Sequence, residues 1–522
     1  MEIASTKTIN LIGLQGDLID VQTHISATIP GFNLIGMPDT ALAESKERVK
    51  AAILSTGIVF PQRKVTVNLA PASLPKYGSS FDLAIAASVL VAAKVIKCKD
   101  IQDWMLIGEL GLDGNLNSVR GVLPMVIAAK KLGFTRFIVP QQNAIEAELV
   151  PGITVAGADN LAKLVATLNG EVRIKSGCES QTQTQTQKLL TGIKAQSPSA
   201  NPELDFADVL GHVGAKKALE IAASGGHHIL MVGLPGVGKT MLASRLPSIL
   251  PDLNPEAALE ATSLHSLAGK VLTSDGIIRR PVFENPHHRA SAASIIGGGS
   301  RIPRPGAISL ASHGVLFLDE APEFSNEVLQ ALRQPLEDSQ IQIHRTNGSA
   351  TFPAKFQLVL AANGCPCGYY ATVKCKCSPQ QIRRYRTKLS GPLLDRIDIQ
   401  IELQKVNPRE VADDQNLESS LDIAKRVLRA RKRAHKRLEG TPWSINAEVP
   451  GSWYRNNIAS GTSLQRMVSE IIDKGALSLR GLDKIIRVAW TIADLNERDE
   501  PTVEDLFQAQ TYRSKVGLHA RA

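Results

Sequence analysis

Apolar and polar positions change rhythm three times along the chain. Up to about residue 170, short β-rich runs such as "KVTVNLA" and "RFIVP" alternate with alanine-rich stretches whose apolar residues recur at helical spacing, as in "VLPMVIAAKKLGF". That alternation predicts one α/β domain over residues 1–170. From 171 to 204 the rhythm stops: "SGCESQTQTQTQKLLTGIKAQSPSANPE" has too few large apolar side chains to pack and reads as a flexible linker. From 205 to 400 the order becomes helix, strand, Gly-rich turn, helix, with further apolar runs at "GVLFLDE" and "FQLVLAAN", which predicts a parallel sheet with crossover helices. Over 401–522 strands fade and long helical patterns such as "SSLDIAKRVLRARKRAHKRL" and "LDKIIRVAWTIADL" predict a helical lid or third domain.

Composition narrows the class. At 522 residues the chain exceeds what one core usually supports, so several domains are expected. With 43% hydrophobic and 21% charged residues it reads as an ordinary soluble globular protein. The first residues lack the basic and apolar regions of a signal peptide, and "LAIAASVLVAA" is too short to cross a bilayer, so a cytoplasmic location without membrane contact is expected. A net charge of +9 points to an acidic partner, nucleic acid ahead of a membrane surface.

The strand "HHILMV" runs into Gly233-Leu234-Pro235-Gly236-Val237-Gly238-Lys239-Thr240 and then a helix, the context a P-loop requires. Its glycines let successive N–H groups converge on phosphate oxygens, Lys239 supplies a point charge, and Thr240 offers a hydroxyl to Mg²⁺. A carboxylate should end a neighbouring buried strand, and "GVLFLDE" supplies Asp319 as a Mg²⁺ ligand and Glu320 as the base that orients the attacking water. Asn363 ends a third apolar strand, where its amide suits the γ-phosphate or the water. An ordinary strand-ending turn is the alternative there.

"GLPGVGKT", "RPVFENPHH", "GGGSRIPRPGAISLASHGVLFLDEAPEF", "LVLAANGCPCG" and "SGPLLDRIDI", in that order, resemble the magnesium-chelatase-like branch of the AAA+ ATPases, and within it the bacterial ComM/YifB group. The resemblance implies a homo-oligomeric ring, usually a hexamer, with ATP between subunits. It places the arginine that reaches a neighbour's phosphate at Arg396 and the sensor-2 arginine of the lid at Arg480. A planar fork of donors suits charge spread over equatorial phosphate oxygens. "YGSSFDLAIAASVL" and "GELGLDGNLNSVRGVLPMVIAAKKLGFTRFIVP" resemble the C-terminal domain of Lon-type proteases. By motif order Ser80 falls at the nucleophile, but Leu123 stands where the activating lysine belongs, so a non-proteolytic relative serving assembly or DNA engagement is expected.

Four of the six cysteines fall in "AANGCPCGYYATVKCKC". In a reducing compartment, two Cys-x-Cys pairs suit a closed structural zinc site formed by Cys365, Cys367, Cys375 and Cys377, with free thiols as the alternative.

Three features suggest DNA as the substrate of the motor. "SQIQIHRTNGSATFPAKFQL" predicts a hairpin around an Asn-Gly turn, with His344 and Arg345 beside the tip. The Gly-rich insertion before the acidic strand carries Arg289, Arg301 and Arg304, and "AKRVLRARKRAHKRL" concentrates positive charge on one helix. Each has a plainer reading, as interface stiffening, ring packing or a solvated face. The ComM resemblance implies an ATP-driven DNA translocase or helicase in branch migration during natural transformation. A chelatase motor and a protein-remodelling ring are the rivals.

Overall fold

The computed structural model describes residues 3–170, 204–270, 276–299, 303–406, 417–458, 463–473 and 478–513, apart from 38, 346–347, 371 and 390. The stretch expected to be a linker lies outside the described residues except for its last position.

The first domain is built on a seven-stranded sheet ordered Gly31–Ile35, Lys64–Ala70, Gln15–Ser26, Ala4–Ile12, Trp104–Leu106, Arg136–Pro140 and Thr154–Ala158. The long strands Ala4–Ile12, Gln15–Ser26 and Lys64–Ala70 pair antiparallel, and the half that follows Trp104–Leu106 is parallel. Along Lys64–Ala70, Val65, Val67 and Leu69 are buried while alternate positions are more open, the period of two expected of a strand covered on one face. Helix Asp82–Ala92 is buried over nearly its whole length, which accounts for its largely apolar sequence.

The second domain carries an all-parallel five-stranded sheet ordered Phe283–Glu284, Val315–Leu318, Gln357–Ala362, Ile229–Gly233 and Ile399–Leu403. Val315–Leu318 and Gln357–Ala362 are buried at every position, as strands covered on both faces must be. The boundary expected at residue 400 falls inside Ile399–Leu403. This is an edge strand that keeps Gln400 and Glu402 among its apolar residues, so its sequence carries a weaker strand signal than the central runs. The predicted hairpin forms from Gln340–Arg345 and Gly348–Pro353, with Ile341 opposite Phe352 and Arg345 opposite Gly348.

The lid contains helices Ser420–Arg437, Gly451–Asn457, Ser463–Asp473, Leu479–Leu495 and Val503–Thr511. Leu482, Ile485, Ile486, Ala489 and Trp490 bury one stripe of Leu479–Leu495 in the same cluster as Ile229 and Met231 of the sheet, so these helices and the parallel sheet share a hydrophobic interior.

The first domain packs on the second through helix Pro255–Ala268, which Asn254 caps and Gly269 ends in a left-handed conformation. Leu259 of that helix joins the first domain's cluster, and the Ser266 hydroxyl donates to Glu146. The turn at Gly13 (φ +65°) approaches the hairpin so closely that a Cβ there would stand 3.2 Å from Ala350 Cβ.

Candidate nucleotide site, cysteine centre and basic surfaces

The P-loop begins where the buried strand Ile229–Gly233 leaves the sheet. Gly236 and Gly238 adopt φ +74° and +92°, conformations a side chain would strain, and Lys239 opens the helix that follows. Lys239 is 8% exposed and its Nζ is threefold bonded, donating to the Gly233 carbonyl at 2.8 Å, the Leu234 carbonyl at 3.0 Å and Asn363 Oδ1 at 3.0 Å. Burial pulls its pKa below the ordinary lysine value, against the pull of Asp319 and Glu320.

Thr240 Oγ1 donates to Asp319 Oδ2 at 2.7 Å, so the hydroxyl and the carboxylate suited to Mg²⁺ meet directly. Glu320 stands at φ +51°, a conformation that costs a non-glycine residue roughly 1–2 kcal/mol and turns the backbone sharply at the strand end. The structure thus gathers Lys239, Thr240, Asp319, Glu320 and Asn363 at the ends of three adjacent parallel strands, the crevice where such sheets bind ligands.

Two predicted residues make no bond to this cluster. Arg396 donates to the Pro392 carbonyl at 2.5 Å and pairs with Glu337, and Arg480 is exposed in the first turn of Leu479–Leu495 without an ion pair among the described residues. The loop behind Arg396 is anchored from the lid: Lys484 Nζ and Arg513 Nη1 both donate to the Ile397 carbonyl, at 3.2 and 3.0 Å. Asp398 lies 3.1 Å from His227 Nδ1 and 3.6 Å from Lys484. Although burial pushes the other way, Lys484 and His227 hold the Asp398 carboxyl well below the usual range.

Sequence reasoning assigned no role to His288, whose Nδ1 lies 3.5 Å from Glu320 Oε2 and whose ring stacks on His287 at 4.3 Å. The "NPHH" segment was the available signal, but only the fold sets it beside the acidic strand. Glu337 and Tyr385 were missed for the same reason.

The four cysteines come together. Sγ of Cys365 lies 3.4 Å from that of Cys367 and 3.7 Å from that of Cys375, Cys367 and Cys375 are 3.7 Å apart, and all four sulfurs fall within 4.8 Å of one another. Thiolates about 2.3 Å from a tetrahedral zinc form a figure with edges of about 3.8 Å, so the spacing fits. Backbone N–H groups of Tyr369 and Lys376 draw the Cys367 thiol down to about 6, while burial pushes Cys365 up. A divalent ion held there would compensate four thiolates at once.

In the first domain Leu123 is fully buried among apolar neighbours, and no lysine bonds to Ser80 among the described residues. The neighbouring Ser79 hydroxyl donates to Glu109, and the buried Asp82 pairs with Arg48 at 2.8 Å.

The candidate basic surfaces divide. His344, Arg345, Arg289 and Arg304 are exposed and make no ion pair among the described residues. The insertion closes on the hairpin: Arg304 pairs with Gly298 in a short ladder, and a Cβ at Gly298 would lie 3.3 Å from Arg345 Nη2. Arg301 lies outside the described residues. The basic helix departs from expectation. Arg426 bridges Glu220 and Glu418, Arg429 pairs with Glu497, Arg433 with Asp499 and Arg437 with Asp494, while Arg431 donates to the Ala223 carbonyl. Its arginines clamp the lid to the core and to itself, and are not a free phosphate-binding row.

Three family models match the chain: "Magnesium chelatase, subunit ChlI" over residues 205–411, "Subunit ChlI of Mg-chelatase" over 21–143, and "Magnesium chelatase, subunit ChlI C-terminal" over 417–513. An uncharacterised protein of Mycobacterium tuberculosis is 41% identical over 517 residues, covering 98% of this chain and 99% of its own. "Competence protein ComM" of Haemophilus influenzae is 38% identical over 97% of this chain and 96% of its own, and "Uncharacterized protein YifB" of Escherichia coli is 38% identical over 98% and 97%. A shorter match, 24% identical over 28% of this chain and 19% of the relative, joins it to a Lon protease of Mycolicibacterium smegmatis. No helix among the described residues is long and apolar enough to cross a membrane.

Proposed function

The chain belongs to the ComM/YifB group of the magnesium-chelatase-like AAA+ ATPases, and on that premise we propose that it is a ring-forming motor that spends ATP to move along DNA. The family implies ATP and Mg²⁺ as cofactors. In the proposed reaction the P-loop amides and Lys239 take the phosphates, Thr240 and Asp319 hold Mg²⁺, Glu320 orients the attacking water, and Asn363 reports the γ-phosphate. Arg396 leaves Glu337 to reach the ATP of the next subunit in a hexamer, and Arg480 approaches the phosphates from the lid. The four cysteines hold a structural zinc.

One observation carries the DNA reading. The hairpin with His344 and Arg345 at its tip leads within a few residues into Gln357–Ala362, the strand that ends at Asn363 on Lys239. A shift at the phosphate is thereby coupled to exposed cations suited to a phosphodiester backbone. The competence named in the Haemophilus relative extends the proposal to branch migration during natural transformation, in the cytoplasm. The chelatase motor and the protein-remodelling ring share the ATP site but give these cations no role.

ATPase rate measured with and without single-stranded and branched DNA across a salt series tests the reading. Stimulation that fades steeply with salt is expected, and no response at low salt overturns it. In the same assay Glu320→Gln should bind ATP yet hydrolyse it at least about 100-fold more slowly.

A further inference from the structure

The cysteine centre stands between two parts of the proposed ATPase machinery and touches one of them directly. Residues 364–377 form no helix or strand among the described positions, so neither ladder nor helical bonds give this loop its shape. The loop begins at Gly364, directly after Asn363, and ends in a helix, Pro379–Lys388, that starts two residues beyond Cys377. A capping box between Ser378 and Gln381 fixes that start.

Three contacts run from this unit to the nucleotide pocket. Tyr385, a side chain only 4% exposed, has its pKa pushed up chiefly by burial, and the nearby backbone N–H of Asn363 pulls it back. Arg386, next along the helix, donates from Nε to the Gly364 carbonyl at 3.1 Å and lays its guanidinium 3.9 Å from the centre of the Tyr370 ring. Gly368, inside the cysteine loop at φ +82°, packs so tightly on the P-loop that a Cβ there would stand 2.4 Å from Pro235 Cγ. The loop is therefore a wall of the pocket, and the helix that closes it holds the carbonyl of Gly364, the residue directly after the one bonded to Lys239.

We infer that the four-cysteine zinc centre is a clamp that sets the reach of Asn363 into the ATP site, with Tyr385 and Arg386 as its positioning residues. The metal fixes both ends of a loop that otherwise has only turn hydrogen bonds and the contacts of Arg386 and Gly368. The helix then stands at a defined distance from the sheet, and Tyr385 and Arg386 convert that distance into the placement of Asn363 and Gly364. Loss of the metal leaves the P-loop strand and helix intact, so nucleotide still binds. It frees the sensor side chain, so the γ-phosphate and the attacking water are held less well and turnover falls.

The inference rests on the ATPase part of the proposed function, and its test is made without DNA. Zinc per chain is measured in the full-length protein after release by a mercurial, binding of a fluorescent ATP analogue by titration, and kcat and KM by phosphate release. Wild type should hold about one zinc. The pair Cys375→Ser and Cys377→Ser should lose it, keep analogue affinity within about threefold and lose about tenfold or more in kcat. Tyr385→Phe keeps every cysteine, and should retain zinc and KM while kcat drops severalfold; it also decides the matter where the cysteine variant fails to fold. Wild type with zinc far below one per chain, a folded zinc-free variant with normal kcat, or Tyr385→Phe with normal kcat overturns the clamp. Normal turnover by Glu320→Gln strikes the catalytic reading instead, so the two failures are told apart.

Discussion

The helix Ser420–Arg437 and the hairpin Gln340–Pro353 both looked like nucleic-acid surfaces, and the helix carried far more charge. In the fold their roles separate. Arginines of the helix end on Glu220, Glu418, Glu497, Asp499, Asp494 and the Ala223 carbonyl, whereas His344 and Arg345 of the hairpin face solvent without a carboxylate partner among the described residues. Charge density along a sequence measures how many cations a segment has. Binding depends on how many remain unpaired once the chain has packed, because an arginine already neutralised by a neighbouring carboxylate must break that pair before it takes a phosphate.

The sharpest break of the comparison is at Arg437. It pairs bidentately with Asp494 at 2.6 and 2.7 Å, and that carboxylate, 1% exposed, keeps only Asn446 as a side-chain donor among the described residues when the arginine goes. Arg437→Ala is expected to cost about 3–5 kcal/mol in denaturant unfolding, with DNA affinity of the folded fraction unchanged. Weakened DNA binding at full stability would reverse the two assignments.

Acid should act on the same joint between lid and core. His228 Nδ1 accepts the Leu358 N–H at 3.0 Å, and burial holds its pKa at about 4 against an ordinary 6.5. The unfolded chain therefore binds more protons between those values, and His228's contribution is whole above about pH 6.5 and fades as pH falls toward 4. Asp398, also depressed, loses its contribution at still lower pH. Unfolding free energy measured from pH 7 to 4 should fall, and His228→Gln should flatten that slope; an unchanged slope contradicts the assignment.

At the hairpin the expected effect is on binding. Arg345→Ala should weaken DNA binding about tenfold and lower the slope of log K against log salt by about 0.9, while thermal stability stays within about 0.5 kcal/mol. The smallest effect belongs to Arg429, paired with Glu497 where both side chains are largely exposed. Arg429→Ala should cost no more than about 1 kcal/mol and leave the DNA salt slope unaltered. A change of slope there would return the helix to the DNA surface.

Much of the fold was legible because its signals are local. The glycines of 233–240, the unbroken apolar runs ending at Asp319 and Asn363, the Asn-Gly turn and the paired cysteines each declare a conformation through backbone freedom or burial within a few residues. The edge strand Ile399–Leu403 was less legible because half-covered strands mix Gln and Glu with apolar positions.

Which residues can cradle a phosphate, hold a metal or carry charge is readable from the chain alone, since backbone freedom and side-chain chemistry travel with the residue. Which of them meet is a matter of packing. It set His288 beside Glu320, Tyr385 near the Asn363 backbone and Glu337 on Arg396, and it paired arginines of the lid helix with carboxylates from other parts of the chain. Those pairings join positions far apart along the chain, and no local pattern of apolar and polar residues encodes a distance that only packing creates.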